Sequence, residues 1–221
     1  MSRIPEKENG GMKPMEIEKK SFEIIAEELA QRYPGRKADP EYDLLIRRVI
    51  HTTADFEYFE TLAFSEHAVE KMKAAIANGC DIVTDTTMAM SGINKKTLAK
   101  FGGQVHCFIA DEDVAMEAKE RGVTRSLVSM EKAARMKNPL IFAIGNAPTA
   151  LQSICSLYRE GKLKPEMVIG VPVGFVNVVE AKEELMQTVP DYIVAKGRKG
   201  GSNVAASIVN AVLYQLVTRE G

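Results

Sequence analysis

NPLIFAIGNAPTALQSICSLYREG, residues 138–161, passes from an unbroken apolar run through a glycine-led turn into an amphipathic stretch. Leu140–Ile144 (LIFAI) has no polar face, the mark of a strand covered on both sides. Pro148 sits near the predicted helix start, where its missing N–H is tolerated. The same alternation spreads outward. Further apolar runs fall at Asp81–Thr84 (DIVT), 105–110 (VHCFIA), 167–171 (MVIGV) and Tyr192–Ala195 (YIVA). Helices are predicted between them over roughly 113–121, 130–136, 147–160 and 179–186, with a closing one at 202–219. Strand–helix alternation implies right-handed crossovers. The expected fold is therefore α/β, a doubly wound three-layer arrangement around a mainly parallel sheet of about five strands.

Upstream the pattern is helical. Phe22, Ile25, Ala26 and Leu29 recur at offsets of three and four, and Pro34-Gly35 ends that segment. A second helix follows Pro40 with Leu44, Leu45, Val49 and Ile50 as its stripe; Thr52 and Thr53, weak helix formers, leave its end open. A third covers about 66–77 and stops at Asn78-Gly79. Residues 1–14 read as a flexible N-terminal arm, and 15–221 as a single domain with added N-terminal helices.

Composition narrows the function. A net charge of -1 leaves no basic excess for phosphates, so nucleic acid is not an expected partner. No apolar run reaches the roughly eighteen residues of a spanning helix, and the polar opening lacks a signal-peptide core. Cys80, Cys107 and Cys155 are scattered, with no C-x-x-C spacing, and read as buried thiols in a reducing compartment. The expected location is the cytoplasm, away from membranes.

Ligands of open parallel sheets bind beyond the carboxyl ends of the strands. DIVT leads into Asp85-Thr86-Thr87-Met88, where Thr86 and Met88 are candidate contacts. LIFAI leads into GNAPTA, with Asn146 and Thr149 as candidates; MVIGV leads into PVGFV, with Gly174 and Phe175. YIVA leads into Lys196 and GRKGGS, with Gly197, Arg198, Gly200, Gly201 and Ser202. Any one exit alone is better read as a tight turn. Four together, three running into helices whose N–H groups attract anions, predict a polyanion, foremost a polycarboxylate. Arg198 and Lys199 would add cations.

Nucleotide readings fare worse. GRKGGS lacks the spacing of a phosphate loop, and no G-x-G-x-x-G follows the first strand. A dinucleotide is not expected, and a flavin or other mononucleotide is disfavoured. The Asp111, Glu112 and Asp113 cluster fits a hard cation less well than a helix start. Met88 and Met90 suit either a flat apolar ligand or core filling.

Of three histidines, His106 lies in an apolar run and reads as a core residue, and His67 as a solvated group near a helix cap. His51 shares a helical face with Arg47 and Arg48. Two neighbouring cations oppose protonation of an imidazole, and a bound polyacid would lift that opposition, coupling its charge to ligand binding. Spacing alone leaves a surface histidine and a general acid equally open.

Several separated motifs, in order, carry a resemblance. They are I-E-x-x-S-F at 17–22, R-x-x-H at 48–51, D-x-x-M at 85–88 with Gly92 following, GNAPTAL at 145–151, PVGFV at 172–176 with Glu180 and Lys182 beyond, and G-R-x-G-G-S at 197–202. The chain resembles the precorrin-8 methylmutase (precorrin isomerase) family, including its cobalt-precorrin-8 members, from about residue 17 to 211. The resemblance implies an isomerase of corrin biosynthesis that moves a methyl group from C-11 to C-12 of a tetrapyrrole. It makes His51 the catalytic histidine and Ser21 and Arg48 substrate contacts, and places Lys182 among the substrate-binding motifs. It implies a corrin product, a homodimer, no cofactor and no protein-bound metal, with cobalt entering only as part of the substrate.

Overall fold

The computed structural model describes residues 14–217, and the chain divides into two compact units, residues 1–37 and 38–221. The first contains α1 (Pro14–Arg32), whose last turn is stapled by an Arg32–Glu28 ion pair at 2.9 Å. Apart from Pro14, the expected arm lies outside the described residues.

The second unit begins with α2 (Asp43–Thr53), α3 (Tyr58–Thr61), β1 (Leu62–Phe64), α4 (Ala68–Ala77), β2 (Asp81–Thr84), α5 (Thr87–Gly92), α6 (Lys95–Ala99) and β3 (Val105–His106). It continues with α7 (Glu112–Arg121), α8 (Arg125–Ala133), β4 (Leu140–Ile144), α9 (Pro148–Arg159), β5 (Met167–Gly170), α10 (Val178–Thr188), β6 (Tyr192–Ala195) and α11 (Ser202–Leu216). The strand order is β1-β6-β5-β4-β2-β3, and every pairing except β1 with β6 is parallel. The doubly wound parallel sheet is thus present, with one strand more than expected. β1 was invisible as a run because three residues carry no period. β3 stops at His106 rather than 110, where the Thr84 hydroxyl also meets the His106 carbonyl at 3.3 Å. The short helices α3, α5 and α6 also escaped the periodicity argument.

Alternation along the strands builds two buried faces. Val83, Phe142, Ile144, Val168 and Val194 pack with Leu151 and Ile154 of α9 and Leu185 of α10. On the other face α11 lies against β4 and β5, and α4 against β5. Cys80 and Cys155 are buried as expected, whereas Cys107 is partly exposed. Among the described residues, no helix is long and apolar enough to cross a membrane.

The winding reverses between β2, which leads to β3 at one edge, and β4, which leads toward β6. At this switch point Asp85, buried at the β2 exit, accepts three backbone N–H groups from the β4 exit. They are Gly145 at 2.9 Å, Asn146 at 2.8 Å and Ala147 at 2.7 Å. Burial pushes its carboxyl pKa above the ordinary value, against the opposing pull of those donors. An amide has only one acceptor oxygen and would turn its NH2 toward at least one of them. Asp85→Asn should therefore lower unfolding free energy by about 2 kcal/mol, read from a urea titration, because a buried N–H loses its acceptor.

Candidate active site

α2 carries Arg47, Arg48 and His51. The hydroxyls of its two terminal threonines bond back to the carbonyls four residues earlier, Thr52 to Arg48 at 2.9 Å and Thr53 to Val49 at 2.8 Å, which satisfies these polar groups on the last turn. Ala54 then takes a left-handed conformation, its N–H closing on Ile50. His51 is exposed on the last turn. The cation pair expected beside it is modified: Arg47 is held by Asp43 at 2.7 Å, while the Arg48 guanidinium lies 5.3 Å over the Tyr214 ring of α11.

Four residues past His51, Asp55 ties this helix end to the β6 exit. Lys199 reaches Asp55 at 2.5 Å and Glu57 at 2.7 Å, holding the Asp55 carboxyl below the usual carboxylate range despite partial burial. Lys199 therefore joins two parts of the site rather than offering a free cation to a ligand, as its place beside Arg198 leads one to expect. Tracing a lysine to acidic groups some 140 residues away needs the fold.

The strand exits are knit together. Thr86 caps α5 by accepting from Ala89 and also shares a 2.8 Å hydrogen bond with Ser202. Gly145 lies so close to the start of α11 that a Cβ there would sit 2.7 Å from the Ser202 Cα. Gly200, at φ +157°, would bring a Cβ within 2.1 Å of the Val171 carbonyl oxygen. Gly174 donates to the Arg198 carbonyl at 3.1 Å, and the Arg198 guanidinium stacks 5.4 Å over the Phe175 ring. Phe175 is 82% exposed and Met88 69%, so large apolar side chains stand open on the glycine-lined exits.

Other expected residues sit differently. The GNAPTA turn is not an open anion site, because Asp85 already occupies its N–H groups. Asn146 is exposed there, its side chain outward of that clamp. Thr149 faces a cavity of about 680 Å³ between α8 and α9, floored by Leu127, Ala134 and Leu157, and bonds to Thr124. Lys182 is 1% exposed and sends both resolved hydrogen bonds to backbone carbonyls beneath the GRKGGS loop. Ser21 is half-buried on α1, in the first unit. Asp111 and Asp113 are paired with Lys132 at 2.8 and 2.7 Å, consistent with a helix start. His106 bonds to buried Asp81 at 3.1 Å, and exposed His67 lies near Glu41 and Glu66. Asp85 was not among the expected site residues; its signal in the sequence is a charge directly after a buried strand.

The whole α/β unit has counterparts of known identity. The precorrin-8X methylmutase family model matches residues 16–215. The chain is 46% identical to the cobalt-precorrin-8 methylmutase of Salmonella typhimurium, over 92% of this chain and 96% of that protein. It is 44% identical to the Priestia megaterium cobalt-precorrin-8 methylmutase, over 91% and 88% respectively. The crystal structure of precorrin-8x methyl mutase from Thermus thermophilus superposes with a TM-score of 0.81 at 35% identity, covering 90% of this chain and 96% of that one. The chain belongs to the precorrin-8X methylmutase family, isomerases of cobalamin biosynthesis.

Proposed function

We propose that the chain converts cobalt-precorrin-8 to cobyrinate by moving a methyl group from C-11 to C-12, with His51 as general acid. The cobalt-bearing substrate is favoured because the relatives at 46% and 44% identity are both cobalt-precorrin-8 methylmutases. The observation that carries the site reading is the Lys199 bridge to Asp55 and Glu57, which fastens the end of the His51 helix to the glycine-rich β6 exit.

In this reading His51 protonates the macrocycle and leaves its π-system short of electrons. The C-11–methyl bond breaks as the C-12–methyl bond forms on the same face, and the macrocycle then returns its added proton to the neutral imidazole, regenerating the imidazolium. Substrate and product have the same atoms, so no redox partner or cofactor is required. Cobalt travels with the substrate. Phe175 and Met88 offer apolar contact to the flat ring, while Arg48, Arg198 and the β6 exit meet its rim carboxylates. The enzyme acts in the cytoplasm, the location that composition and the scattered thiols favour, and as a homodimer, as the family resemblance implies.

Purified protein mixed with cobalt-precorrin-8 should develop the visible spectrum of the corrin; a pure carrier would retain the starting spectrum. His51→Ala should lower kcat by roughly 100- to 10,000-fold, the usual range for a lost general acid, while still binding cobyrinate. Undiminished turnover in that variant removes the acid assignment. Phe175→Ala should raise KM about tenfold with little change in kcat, because ring contact made equally in ground and transition states contributes uniform binding. A selective loss of kcat would instead place Phe175 in the chemical step.

A further inference from the structure

Among the four strand exits, the β6 exit is the one whose backbone polarity is sorted by side. The carbonyls of Gly197 and Lys199 accept from the Lys182 ammonium at 2.8 and 2.9 Å, and the carbonyl of Arg198 accepts from Gly174. Three successive acceptors are thus consumed from the protein side. Among the described residues, the N–H groups of Gly197, Arg198, Lys199 and Gly200 meet no backbone or side-chain acceptor, and the next one, Gly201, donates to Val171. A run of unsatisfied donors running into the start of a fifteen-residue helix is an anion-receiving concavity. The comparable donors after β4 are closed by Asp85, whereas this concavity offers a rim carboxylate open N–H groups.

Lys182 is an unusual support for a loop. It projects from α10, is 1% exposed, and among the described residues no carboxylate neutralises it. Burial alone lowers its amine pKa to about 8. Carrying an unpaired cation inside the protein costs free energy unless its hydrogen bonds do something a neutral residue would not. Two carbonyls turned inward are what it obtains, and a peptide whose carbonyl is turned inward directs its N–H outward.

We infer that Lys182 is a positioning residue, which orients the 197–200 backbone so that its N–H groups receive a peripheral carboxylate of the macrocycle. The inference rests on the tetrapyrrole reading given above. Lys182 itself touches no substrate; it acts through the loop. Its effect belongs to binding, since the rim carboxylates are unchanged by the methyl shift.

The test compares the full-length wild type with Lys182→Met and Lys182→Gln. KM and kcat for cobalt-precorrin-8 are followed by the corrin spectrum, cobyrinate affinity by titration, and folding by thermal melts. Loss of hydrogen bonds from a charged donor should raise KM and the cobyrinate Kd together by about tenfold or more in the Met variant, with a smaller rise for Gln, which keeps one donor. kcat per active site should stay within about threefold, since the chemical step is untouched. A residue that merely supports the core would lower the melting temperature and the active fraction while leaving KM unchanged, and an unchanged KM in either folded variant overturns the proposal. Failure of both variants to fold overturns it too, because Lys182 would then serve the whole core. A wild type inert toward cobalt-precorrin-8 would fell the functional reading itself; an active wild type with indifferent variants fells this inference alone.

Discussion

The Asp85 carboxylate is the contact on which the geometry of the site depends. It leaves the end of β2 and gathers three N–H groups from the end of β4, at the point where the chain reverses its direction of winding. In a sheet of this topology that point is the usual ligand crevice. Here the donors that would hold a phosphate are closed by the protein's own side chain. This weighs against a mononucleotide on physical grounds, beyond the missing motifs. It also fixes Gly145 where it can lie within a backbone's thickness of Ser202, drawing β4 and α11 together.

With that crevice closed, the available donors shift along the sheet to the β6 exit. There the charges are arranged in tiers. Lys182 holds the loop from beneath through its carbonyls, Lys199 ties it sideways to Asp55 and Glu57, and Arg198 lies on top against Phe175. Of the cations in this region, Lys182 and Lys199 are spent on architecture, while Lys196 and Arg198 are exposed. Arg198 lies beside an aromatic ring, which suits a ligand that is flat and apolar in its middle and anionic at its edge.

How much of this was legible follows from the range of the forces involved. DIVT, LIFAI and YIVA match β2, β4 and β6 residue for residue, because burial on both faces keeps the middle of each run apolar. β1 and α3 were lost because elements of three and four residues show no period. α8 starts at Arg125 rather than 130 because Thr124 caps it, accepting from Leu127, a local signal that the apolar stripe did not register. The anion reading of GNAPTA failed for a different reason: the carboxylate that fills it comes from 60 residues earlier in the chain. Local spacing shows where donors will be free of a helix partner, and only the assembled sheet shows who reaches them first. His51 sits between these cases. Spacing placed it on a face with Arg48, but the Asp55–Lys199 link that relates this face to the β6 exit is long-range.

A division of labour follows for a methyl migration. The rim carboxylates are the same in substrate, transition state and product, so whatever grips them binds all three alike and leaves the barrier height unchanged. Rate enhancement has to come from a group that acts on the ring only as its electron distribution changes, and this requires a fixed position more than it requires affinity. The two tasks call for different supports. In the proposed mechanism gripping falls to glycine turns whose backbone can approach closely, and acid delivery to His51 on the last turn of α2, beside Thr52 and Thr53. An acid and a clamp on separate elements are useful only if their separation is constant. The Lys199 bridge supplies that constancy for the helix end, and Lys182, by fixing the backbone from which Lys199 springs, fixes the other end of the same ruler.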